Sequence, residues 1–137
     1  MKYILLLFII LTNICFSQDT ILENLIFKKI TLYQNKKGLK PITYNKFQVK
    51  SCREHSKYMS EKTKLIHVKD IDSVNASAEI IQQTYSDEQT NSEIAKSVLD
   101  DFLNSPSHKK IIDTQYKKVS VGIHKKGEEI WVTIRFF

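Results

Sequence analysis

The hydropathy period changes from helical spacing to alternation after Asp113, and that change limits the fold more than any other feature. Before it, Ile94, Val98, Leu99, Phe102 and Leu103 recur at helical spacing. After it, Val119, Val121 and Ile123 alternate with Ser120, Gly122 and His124, and the stretch from Ile130 to Phe137 alternates again. Lys125 to Glu129, containing Gly127, supply the turn, so the C-terminal stretch predicts a β-hairpin. With helices upstream and no internal repeat or linker, the chain reads as one compact α/β unit.

Two helix starts precede the change. Thr90 with Glu93 three residues on forms a capping box for the helix that ends near Asn104. Ser105 and Pro106 then suit the cap and first turn of another helix, because proline costs nothing where the N–H has no partner. His108 falls at about the third helical residue, where the positive end of the helix dipole disfavours an imidazolium. A neutral, fixed imidazole suits a metal ligand or a general base. A surface histidine in a helix turn has the same local sequence.

Further upstream, apolar residues from Ile21 to Tyr33 again keep helical spacing. Gly38 and Pro41 break the pattern, and Ile42 to Tyr44 reads as strand or loop. Asn45 is placed to cap a helix running to about Ser60, with Phe47, Cys52, His55 and Met59 on one face. His55 on that stripe is a core histidine held by a hydrogen bond, the commoner case, or a ligand. Residues 61–73 read as a loop, and the apolar neighbours of His67 tuck it against the body. Glu79 lies in a short apolar strand ending at Ile81. It either points outward by alternation or is buried with partners. Residues 82–91 are polar and turn-like, and His124 belongs to the solvated tip of the hairpin.

Met1-Lys2 followed by a mostly apolar run from Tyr3 to Phe16 has the form of a secretory signal, with cleavage expected near Ser17. That leaves residues 18–137 as a single exported domain with no transmembrane anchor. About 120 residues suffice for a core of their own. Cys15 departs with the signal, which leaves Cys52 alone without an intramolecular disulfide and expected to be a buried, inert thiol. The net charge of +6 comes mainly from lysine, in pairs spread along the chain, with only two arginines. Nucleic-acid surfaces cluster arginine and aromatics on one element, so a solvated surface is expected and nucleic acid is not an expected partner.

Several short segments, in order, resemble the CAP superfamily, or SCP domain, of cysteine-rich secretory proteins, antigen 5 and pathogenesis-related proteins, in its short bacterial secreted form. They are Gly38-Leu39-Lys40-Pro41, His55-Ser56-Lys57-Tyr58-Met59, His67 in the following loop, Ala78-Glu79-Ile80-Ile81, Asn104 to Ile112, and Val121-Gly122-Ile123 with Trp131-Val132-Thr133. The resemblance runs from about Ile21 to Phe137. Where the family has glycine and asparagine, Ala78 and Ile80 flank Glu79, and Phe102 stands near a family tryptophan. The second acidic residue of many eukaryotic members has no assigned counterpart, although Asp100 and Asp101 lie nearby.

The resemblance implies an α-β-α sandwich with a central, largely antiparallel sheet and a shallow cavity lined by His67, Glu79 and His108. It leaves His55 and His124 with structural and surface roles. Two neutral imidazoles and a carboxylate form a three-ligand set for zinc or another divalent metal, with one position open. The implied role is an extracellular binding or interaction module for a ligand, lipid or protein that the sequence does not identify. The alternatives are a metal-dependent hydrolase of envelope or extracellular material and a scaffold with a vestigial cavity. No Gly-x-Ser-x-Gly, His-Glu-x-x-His or Cys-His nucleophile arrangement is present.

Overall fold

The computed structural model describes the backbone from residue 2 and side chains from residue 19. The signal peptide expected at 1–17, and Cys15 within it, therefore lie outside the residues described in full. Helix α1 (Lys2–Lys36) is followed by strand β1 (Thr43–Tyr44), a single 3₁₀ turn (Lys46–Gln48) and helix α2 (Val49–Lys62). A long loop leads to β2 (Ala78–Tyr85), then α3 (Asn91–Asn104), α4 (Pro106–Ile112), β3 (Lys118–Lys126) and β4 (Glu129–Phe136). Among the described residues no helix is long and apolar enough to cross a membrane.

The hairpin forms as its alternation predicts. Val121 lies opposite Ile134, and Gly127 takes the positive φ of 61° that its turn requires. The sheet order is β1-β3-β4-β2, antiparallel except for β1, which runs parallel to β3. Alternation then sorts side chains to two faces. Ile80, Val121, Ile123, Val132, Ile134 and Phe136 meet Leu22, Ile26 and Ile30 of α1 and Val98 and Phe102 of α3 in the main core. The opposite face carries Ile81 and Trp131 against Met59 of α2. Helices therefore cover both faces of a mainly antiparallel sheet, which is the expected α-β-α sandwich.

Gly122 sets the distance between α2 and the sheet. A Cβ there would collide with Arg53 N and stand 2.5 Å from the Cys52 carbonyl carbon. Ser56 Oγ fixes the same contact, donating to Gly122 O at 2.9 Å and lying 2.8 Å from Thr133 Oγ1. Cys52 is fully buried against this seam, and burial pushes its thiol up to about 12, so it is inert as expected.

Several local expectations change. Phe47 is 84% exposed, because its 3₁₀ turn precedes α2 and takes it off the apolar stripe. Neither Asn45 nor Ser105 makes a side-chain cap, although Pro106 opens α4 and the Thr90–Glu93 box is complete. β2 continues through Gln82 to Tyr85, because pairing with β4 overrides the polar composition of that stretch. His124 is on β3 opposite Trp131, ahead of the hairpin tip, and burial there lowers its pKa.

Candidate functional site

Glu79 is buried, at 7% exposure, on the α2 face of the sheet. Its register partner on β4 is Arg135, only 1% exposed, and Arg135 Nε donates to Glu79 Oε2 at 2.8 Å. The other oxygen, Oε1, accepts the Val68 backbone N–H at 2.9 Å and lies 3.1 Å from His67 Nδ1. Of the two alternatives for this carboxylate, the buried and partnered one holds. Burial on its own would raise the pKa of Glu79. The Val68 N–H, the Arg135 bond and the nearby charges of His55 and Arg135 together outweigh that and hold the carboxyl below its usual value.

The loop expected over residues 61–73 brings His67 to this carboxylate, with its side chain 57% exposed. The loop is tied from α2 as well, since His55 Nε2 lies 2.8 Å from Ile66 O. That bond gives His55 the structural role expected of it. His55 Nε2 also stands 3.8 Å from Glu79 Oε1, so the residue belongs to the same cluster.

His108, on α4, stands apart from these hydrogen bonds. The α3–α4 corner places its ring edge-on to Phe102, with centroids 5.3 Å apart. Its pKa is lowered, first by burial and then by the charge of His67. The neutral bias expected from the helix dipole is therefore present, but desolvation and His67 produce it. Beside it is an open groove of about 250 Å³ lined by Leu65, Ile81, Gln82, Gln83, Asp101, Phe102, Ser105 and His108. Asp101 accepts from Gln82 Nε2 at 2.6 Å. Larger hollows lie along α4, between α1 and α2, and between α1 and α3, and none of these three is lined by a histidine.

The donor set fits a metal ion poorly. Among the described residues no three His, Cys, Asp or Glu side chains are grouped to hold one. Both Glu79 oxygens are already engaged, and a guanidinium in direct contact with one of them opposes a second cation. Among the described residues the hydrogen bonds of histidine rings go to the Ile66 carbonyl and to Glu79, not to a hydroxyl or thiol.

Arg135 and the Val68 N–H are the members of the site that motif spacing passed over, while His55 was singled out but given a structural role. Arg135 carried a signal: it is a lone charge between Ile134 and Phe136 in an apolar strand, and such a charge needs a buried partner.

The chain belongs to the cysteine-rich secretory protein family, whose model matches residues 28–136. Its fold is similar to that of an outer surface protein from Borrelia burgdorferi, with a TM-score of 0.64 and 17% identity over 82% of this chain and 90% of that one. It is also similar to an extracellular protein containing a SCP domain from Bacillus anthracis strain Ames, with a TM-score of 0.65 and 16% identity. That match covers 86% of this chain and 41% of the other, so this chain spans less than half of its length. At these identities the likeness shows the fold alone. No curated protein matches the chain.

Proposed function

We propose that the protein is an exported binding or interaction module, with residues 1–17 as its signal peptide, and that its recognition site is the groove bordered by His67, Glu79 and His108. The observation that carries this reading is the mixed lining of the groove. The His108 imidazole stands there beside the apolar surfaces of Leu65, Ile81 and Phe102, while the carboxylate of Glu79, nearby on β2, is already engaged by Arg135 and Val68. Such a lining suits an uncharged, partly apolar ligand. The outer-surface and extracellular descriptions of the two similar proteins agree with a role outside the cell.

The test is a ligand screen by NMR, with lipids, saccharides and short peptides as probes, on wild type and a His67→Ala, His108→Ala double variant. The expected result is a probe whose shifts map to the groove and whose affinity falls in the double variant. A response mapping elsewhere removes the reading. Zinc titration belongs beside it, with weak binding expected that the double variant leaves unchanged. Chelator-sensitive hydrolysis abolished by His108→Ala would replace the binding module with a metal-dependent hydrolase.

A further inference from the structure

The two edges of the sheet differ. One is closed by the two-residue β1, a short edge strand of the kind that protects a sheet from added strands. The other is β2, eight residues long, with no neighbour beyond it among the described residues. It contains neither lysine nor proline, and its only charge, Glu79, is turned inward onto Arg135.

Register decides which backbone groups face that edge. Lys118 and Phe137 exchange both of their hydrogen bonds, so the odd-numbered residues of β4 bond to β3 and the even-numbered ones bond to β2. Ser86 N donating to Glu128 O at 2.9 Å continues the second set. Ala78, Ile80, Gln82 and Thr84 are thereby bonded to β4, and the N–H and C=O groups of Ile81 and Gln83 point outward. Those two residues line the 250 Å³ groove, with Leu65 on one wall and Phe102, Ser105 and His108 on the other. Gln82 Oε1, on the same lining, is buried without a hydrogen-bond partner among the described residues.

From this geometry we infer that the groove takes an extended peptide segment of another protein, which adds to β2 as a fifth strand and seats one apolar side chain against Phe102 and His108. The inference rests on the proposed groove function and names its ligand class. Backbone donors and acceptors at strand spacing are met only by another extended backbone, and a groove for alternate side chains adds selectivity. A second copy of the chain is the poorer occupant, because the chain is basic, +6 over the full sequence, and two copies repel.

The experiment uses blocked heptapeptides that alternate threonine with leucine, valine, methionine or phenylalanine, and reads amide hydrogen exchange. The expected result is that at least one peptide slows exchange of Ile81 and Gln83 about tenfold or more, while Gln82, already bonded to β4, changes little. N-methylation of the peptide at alternate residues abolishes this. Gln83→Pro, at a position whose N–H faces the open edge, weakens binding about tenfold without shifting the unfolding midpoint. The N-methylated peptide keeps the test valid should that variant fold poorly.

Peptides that shift the His67 and His108 resonances but leave Ile81 and Gln83 exchange unchanged would overturn strand addition and leave the groove reading standing. Absence of any peptide response, with a lipid or saccharide still mapping to the groove, would do the same. Protection of Ile81 and Gln83 that grows with protein concentration alone would overturn the proposal in favour of self-pairing.

Discussion

Two buried carboxylates in this molecule are held in the same way and placed in different surroundings. Glu23 of α1 accepts two bonds from Arg53 of α2, at 2.7 and 2.5 Å, and one from the Ile123 backbone N–H at 3.1 Å. Glu79 of β2 accepts one from Arg135 and one from the Val68 N–H. Each is an acid, a guanidinium and a backbone donor. Glu23 joins two helices to the sheet and, among the described residues, has no histidine bonded to it. Glu79 has His67 and His55 within 3.1 and 3.8 Å, and Ile81, two residues on along β2, lines the open groove. A buried ion pair therefore marks a seam of the fold, and titratable, partly exposed neighbours distinguish a site from a seam.

The largest expected effect separates the pairs by solvent access. Arg135→Ala strands Glu79 in the interior and should cost about 3–5 kcal/mol in denaturant unfolding. Glu23→Ala should cost less, about 1–3 kcal/mol, because the Arg53 side chain is 30% exposed and can rehydrate, leaving chiefly the Ile123 N–H unmet. Equal costs would break the comparison. Gly122→Ala acts on both pairs by lifting α2, and a loss of about 1–3 kcal/mol is expected in the same assay.

The acid limb of stability sharpens the contrast. The folded pKa of Glu79 lies below its unfolded value, so its contribution is full above the unfolded carboxylate value, about pH 4.3, and is lost as pH falls through the folded value. Unfolding measured against pH should show this loss in wild type. The Glu79→Gln variant should lack that part of the slope. For His108 the folded pKa is also lowered, so stability falls as pH drops from about 6.5 toward the folded value.

The smallest effects lie at the groove. His67→Ala should change stability by less than about 0.5 kcal/mol, since its side chain is more exposed than buried. The same substitution should raise the His108 pKa in an NMR titration by removing a positive neighbour, although burial keeps it below the usual value. An unchanged His108 titration would separate the two histidines and dissolve the site as described.

Much of the frame was legible along the chain. The hairpin, the Thr90 capping box, the stripe on α3 and the buried Cys52 follow from periods and short motifs, because each depends on neighbours a few residues away. The resemblance named His67, Glu79 and His108 as one cavity. It did not supply the buried arginine that occupies one oxygen of Glu79, nor the approach of His55.

By itself, the sequence determined the helical stripe of α3 and the alternation of the C-terminal hairpin, with the apolar face of each, since 3.6- and 2-residue periods are local properties. Only the tertiary structure decided that Glu79 is buried, that Phe47 is exposed and that β2 runs on to Tyr85 with an open edge. For the two residues of β2 the outcome depends on what lies opposite them, and register across β4 sets that over separations of 44 to 58 residues, whereas Phe47 is turned out by the 3₁₀ turn ahead of α2.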